Sequence, residues 1–243
     1  MTASTPTSTR RNDSLTRAGR ETEGLTTGRV EGFSDGVLAI ATTLLVLQLG
    51  SGGEGGSLAS RLGNEWPSFL SYAISFLNIG TVWLNHHKVV SRLSRIDHTF
   101  LVLNLLLLMV VSLLPFPTRI VGEELAGGTG ADRRTAALLY GATFFIASIA
   151  FLVLWLWAAR RRRLIKPGAS ARLNRVRTLR FALAVPLFAI PCGVALLDPV
   201  AALAADGVIM VSFLFSDRTT DELISRIVRV RVRKEILRRG RPI

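Results

Sequence analysis

Residues 29–48 read Arg29-Val-Glu-Gly-Phe33-Ser34-Asp35-Gly36-Val-Leu-Ala-Ile40-Ala-Thr42-Thr43-Leu44-Leu-Val-Leu47-Gln48. After Asp35 the segment is almost wholly apolar, and with its flanks it is long enough to cross a hydrocarbon core of about 30 Å as a helix. Five further blocks of similar character follow, at residues 67–87, 99–115, 135–158, 179–197 and 199–216. None alternates with a period of two, which excludes barrel strands. The expected fold class is all-α: a polytopic membrane protein of six transmembrane helices.

Composition agrees. The 243 residues are 49% hydrophobic yet carry a formal net charge of +13, and the mean hydropathy is +0.39. A soluble protein this basic is usually less apolar, and a disordered chain lacks so much Leu, Ile, Val and Phe. The apolar residues must therefore lie in blocks apart from the charges. A single cysteine, Cys192, rules out an intrachain disulfide, and with only three histidines no zinc-finger spacing exists.

The thirty Lys and Arg residues define an orientation. Five lie before or at Arg29, three in 88–95, nine in 160–180 and nine after 216, leaving only Arg61, Arg119, Arg133 and Arg134 on the other side. Positive charge collects on the cytoplasmic face, so both termini are expected in the cytoplasm, as an even number of spans requires. The domain expectation is a disordered cytoplasmic tail over 1–28, a six-helix channel domain over 29–216 and a basic cytoplasmic tail over 217–243. The pair Arg10-Arg11 lacks the apolar segment that a twin-arginine export signal needs. Glycines at 52, 53, 55 and 56, and again at 127, 128 and 130, mark flexible outer connectors.

The arginine runs 160–163 and 226–241 contain no aromatic residue for base stacking and abut membrane spans. They point to anionic lipid headgroups and not to nucleic acid. The pattern over 221–237, with Leu223, Ile227, Val230 and Ile236 among arginines, fits a helix lying on headgroups or against a neighbouring subunit.

Polar residues inside the spans are costly unless partnered or wetted. At about 100° per residue, Gly36, Ile40, Thr43, Leu44 and Leu47 form one stripe of the first helix, while Asp35 points elsewhere with Ala39, Thr42 and Val46. Asp35 is either solvated near the headgroups or held by other helices. The second reading is met by a network of Arg29, Ser34, Asp35, Asn85 and one of His86, His87 and His98, all near the cytoplasmic side. The same string, with Asp97, also invites an enzymatic reading at the cytoplasmic face, but it lacks a nucleophile or an acidic metal cluster, and His86 and His87 diverge on a helix. Asp206, about 10 Å along the sixth span from Pro199, raises a third possibility, a proton-coupled transporter using Asp35 or Asp206.

Taken together, Arg29-x-x-x-Phe33-Ser34-Asp35, Trp83-x-Asn85-His86-His87 and the string Leu113-Leu114-Pro115-Phe116-Pro117 resemble the prokaryotic branch of the transmembrane protein 175 family. A second Phe-Ser-Asp, at 215–217, lacks the upstream arginine. The resemblance covers the first three spans, and the remainder only by helix count. It implies a potassium-permeable channel in which several subunits, four by analogy, place the first helix around a central pore. It further implies that Ile40 forms an apolar constriction, followed by Leu44 and Leu47, and that Thr43 supplies a hydroxyl layer for selectivity. Arg29, Phe33, Ser34, Asp35, Trp83, Asn85 and His86 correspond to the family's packing network, the Asn-His order favouring His86 over His87. No catalytic residue, metal or cofactor is implied beyond the permeant potassium ion. The chain has no Thr-Val-Gly-Tyr-Gly loop, so side chains and not filter carbonyls must line the path. The expected location is the cell membrane.

Overall fold

The computed structural model describes residues 26–50, 57–161, 163–166 and 171–214. The expected tails over 1–28 and 217–243, the helix over 221–237, the copy at 215–217 and the glycines at 52–56 lie wholly or almost wholly outside these residues. Among the described residues every apolar block is helical. The elements are α1 (Thr27–Leu44), α2 (Leu58–Asn64), α3 (Trp66–Val90), α4 (His98–Ser112), α5 (Pro115–Gly127), α6 (Gly130–Arg160) and α7 (Ala171–Ala195), then α8 (Pro199–Leu214).

Local chemistry sets the boundaries. Asp97 caps α4 by accepting from Phe100 N at 2.9 Å, and Thr129 caps α6 by accepting from Asp132 N at 3.3 Å. Pro67, Pro115 and Pro199 lie in the first turns of α3, α5 and α8, where a missing N–H costs nothing. Pro115 cannot donate to the carbonyl four residues back, so α4 tightens at Leu113 and Leu114 into bonds to Val110 and Val111 before α5 resumes.

Three expectations need correction. The third block does not end near Pro115: helix continues through Gly127, and His98–Gly127 makes one apolar run of 30 residues. Of the glycines expected to mark a flexible connector after the third block, Gly127 and Gly130 lie in helices, so that only Gly128 and Thr129 join α5 to α6. Nor are all six blocks alike. Four runs are long and apolar enough to cross a membrane by themselves, Thr27–Gln48, His98–Gly127, Gly130–Arg160 and Leu173–Ala195. Helix α8 is shorter, and α3 carries a polar stripe that lowers its hydropathy.

That stripe faces inward. Ser68, Ser71, Ser75, Asn78, Asn85 and His86 are all buried; the first four recur at three- and four-residue steps of one helix face, and Asn85 and His86 flank its continuation. Ser75 Oγ lies 2.7 Å from Thr118 Oγ1 of α5 and 2.9 Å from Tyr140 Oη of α6. Gly122 lets α5 close on α3, because a Cβ there would lie 2.8 Å from Ser68 Cα. Helix α6 packs against α4, α5 and α7, with Tyr140, Phe144, Leu154 and Trp155 in the core. On the basic side, Leu93 and Ile165 form an antiparallel bridge, and Asp97 also accepts from Trp157 Nε1 at 3.0 Å. Helix α1 sits at one side of this bundle, resting chiefly on α3 and α4.

Candidate functional site

Two faces of α1 differ sharply. Val30, Ser34, Leu38, Ala41 and Leu45 are buried, and their spacing of three and four residues is that of a single helical stripe. On the other side Ile40 is 61%, Leu44 40% and Leu47 73% exposed, with Gly36 and Thr43 also exposed. Helical geometry changes near the end of this stripe, since α1 stops at Leu44 and Val46–Gln48 form a 3-10 turn. The projection at 100° per residue therefore does not extend to Leu47, although Leu47 is still uncovered. Phe33, at 55% exposure, lies outside the core as well.

Hydroxyls on this helix are tied to its own backbone. Thr43 Oγ1 donates to Ile40 O at 2.9 Å and Thr42 Oγ1 to Leu38 O at 2.7 Å. The Thr43 hydroxyl hydrogen being engaged, its oxygen lone pairs are left as acceptors on the exposed face.

The buried face is held by a three-helix chain of hydrogen bonds. Ser34 Oγ donates to Val30 O at 2.8 Å and accepts from Asn104 Nδ2 of α4 at 2.9 Å. Asn104 Oδ1 lies 2.7 Å from His86 Nε2 of α3. With the amide in this orientation His86 donates from Nε2, while its Nδ1 is buried without a partner among the described residues. Ser34 and His86 are fully buried and Asn104 nearly so. A polar chain closed off from water in this way fixes helix packing, because each partner left unpaired carries a desolvation cost.

A second pair of contacts joins α1 to α3 in an outer layer. Trp83 Nε1 donates to Asp35 Oδ1 at 2.9 Å, and His87 Nδ1 lies 2.6 Å from Glu31 Oε1. Four residues forward on α1 match four residues back on α3, as in antiparallel neighbours. The network expected from the sequence is thus divided in two. Asp35 belongs with Trp83 and not with the buried histidine. Arg29 is exposed and enters neither layer, and Asn85 Nδ2 donates to Thr81 O of its own helix at 2.9 Å.

Asn104 is the residue that sequence reasoning missed. Its signal was present: one amide within an otherwise apolar run, where a polar side chain needs a partner. Conversely, the supposed cytoplasmic His cluster is dispersed. His86 is committed to Asn104, His87 to Glu31 and Asp97 to a helix cap, while His98 is exposed. Among the described residues no group of three or more His, Cys, Asp or Glu is placed to hold a metal. Asp206, on α8, is buried, with Oδ1 unpartnered among the described residues.

Comparison with known proteins follows the same part of the chain. Residues 29–115 match the family model described as "Endosomal/lysosomal potassium channel TMEM175". A potassium channel of Streptomyces collinus is 39% identical over 192 residues, which cover 78% of this chain and 92% of that relative. A potassium channel of Chamaesiphon minutus is 43% identical over 148 residues, covering 59% of this chain and 71% of the relative. In three dimensions the chain is similar to the crystal structure of a lysosomal potassium-selective channel TMEM175 homolog from Chamaesiphon minutus. The TM-score is 0.70 at 33% identity, over 78% of this chain and 97% of the other.

Proposed function

The chain belongs to the TMEM175 family, and from that premise we propose that it is a potassium-permeable channel whose pore is lined by α1 of several copies. It is a multi-pass membrane protein of a channel family and not an enzyme. The observation that carries the pore assignment is the uncovered stripe of Ile40, Thr43, Leu44 and Leu47 on a helix whose opposite face is locked into the subunit. One such helix per chain cannot enclose a path, so copies must associate, and a homotetramer is the arrangement proposed.

Ion passage then depends on side chains. A ring of Ile40 side chains expels water and forms the constriction, with Leu44 and Leu47 as further apolar layers. Thr43 oxygens, their hydrogens engaged by Ile40 O, present weak dipoles to a passing cation. Potassium sheds water more readily than sodium, which favours it at a dry constriction. The Ser34–Asn104–His86 chain and the Asp35–Trp83 pair position α1.

The proposed location is the plasma membrane with both termini cytoplasmic, a six-helix channel domain over 29–216, and anionic headgroups against the arginine clusters. Liposomes containing the purified protein, loaded with potassium and diluted into sodium, should show passive potassium flux with no coupled substrate. Flux that requires a second, gradient-coupled solute would replace the channel with a transporter.

A further inference from the structure

Helices α3, α6, α7 and α8 line a partly open cavity of about 70 Å³ to which no residue of the proposed pore helix contributes. Its wall is largely aromatic. Phe144 stacks on Phe188 at 6.2 Å, Phe188 on Phe213 at 6.0 Å, and Phe151 packs on Phe181 at 4.9 Å. Space is left because Ala147 of α6 and Ala184 of α7, both buried, contribute only methyl groups to the lining.

Four polar side chains also reach the lining, and their hydrogen bonds decide what the cavity can take. Thr81 Oγ1 donates to Leu77 O at 2.8 Å, Asn85 Nδ2 to Thr81 O at 2.9 Å, and Ser148 Oγ to Phe145 O at 2.7 Å. Each of these donates within its own helix. Asn78 differs: it is 4% exposed, and its Nδ2 has no partner among the described residues. Among the described residues no charged side chain lines the space.

We propose that this cavity is a binding site for a small neutral molecule with an apolar body and one hydrogen-bond acceptor, which the Asn78 amide engages. The aromatic wall disfavours water, since a buried water needs two to four polar partners, whereas an apolar cavity stays dry and takes up apolar guests. At roughly 10 to 15 Å³ of accessible space per water-sized group, the cavity holds on the order of five non-hydrogen atoms. A cyclic ether such as tetrahydrofuran matches this size and chemistry, and cyclopentane is the same ring without the acceptor. The site lies within one subunit and does not depend on how α1 assembles.

The test uses the full-length protein in lipid nanodiscs, titrated with tetrahydrofuran or cyclopentane while the thermal unfolding midpoint is followed. Tetrahydrofuran should raise the midpoint saturably, at about one fifth of the concentration that cyclopentane needs, as one hydrogen bond implies. Asn78→Leu should erase the difference between the rings. Ala147→Leu fills the cavity and should abolish both responses while leaving Asn78 in place. A non-saturating response shared by wild type and Ala147→Leu would overturn the site. Equal saturable responses to the two rings would overturn the role of Asn78, and an absence of any tetrahydrofuran response would overturn the site.

Discussion

His86 Nε2 and Asn104 Oδ1 lie 2.7 Å apart at the junction of α1, α3 and α4, with both side chains shut away from solvent. Asn104 also donates to Ser34, so a single amide joins three helices. Everything proposed about the pore depends on this junction, because it determines which face of α1 is turned into the subunit and which is left free.

Replacing that amide is the most direct test of the anchor. Asn104→Leu keeps the side-chain bulk but leaves His86 and Ser34 without their shared partner, at a cost of about 1 to 3 kcal/mol. The unfolding midpoint in detergent should fall, and the yield of assembled oligomer should fall with it. An unchanged midpoint would mean that the junction contributes nothing to holding α1.

Asp35 and Trp83 are expected to act as a pair. Asp35→Ala and Trp83→Phe each break the same bond, so the double variant should be less destabilised than the two single effects added. The coupling expected is about 0.5 to 1.5 kcal/mol, because the bond lies in the more exposed layer. Oligomer yield should drop before ion selectivity changes. If Asp35→Ala assembles normally yet alters the permeant ion, Asp35 lines the path instead.

Thr43→Val preserves shape and removes the one hydroxyl on the uncovered stripe. The potassium-to-sodium permeability ratio, read from reversal potentials under mixed cations in a planar bilayer, should decrease. A constant ratio at intact conductance would assign selectivity to the apolar rings.

Ile40→Asn introduces groups that hold water where a ring of isoleucines would exclude it. Basal current should rise in a variant that size-exclusion chromatography finds assembled. Wild-type conductance from an assembled variant would remove Ile40 from the constriction. Misassembly without added current would place Ile40 against lipid or a neighbouring helix.

Asp206 offers a contrast with these polar sites. Its Oδ1 is buried with no hydrogen-bond partner among the described residues, so an apolar residue of similar size forfeits little. Asp206→Leu should leave the unfolding midpoint unchanged or raise it, because a buried carboxyl without a partner is costly to desolvate. A marked fall would reveal a partner for the carboxylate.

Much of the architecture was legible in the chain because hydropathy and helical period are local properties. The six apolar blocks, the basic asymmetry and the stripe on the first helix need only nearest neighbours along one helix to be read. The exception within that local information was α3, where a buried polar face resembles ordinary dilution of an apolar segment. Its meaning depends on Thr118 and Tyr140, which lie 43 and 65 residues away from Ser75 in sequence.

By itself the sequence determined that the chain is an all-helical membrane protein, roughly where its apolar blocks begin, and that Phe33, Ser34 and Asp35 stand at the head of the first. Tertiary structure alone decided which polar groups meet. Ser34 and Asn104 are 70 residues apart, and nothing in either segment specifies the rotation of α4 that brings them together. That rotation comes from many weak apolar contacts summed over the bundle, whereas the polar bonds select one register by penalising every other with unpaired groups. The same packing separated Asp35 from His86, two residues that an expected common side of the membrane had placed in one network.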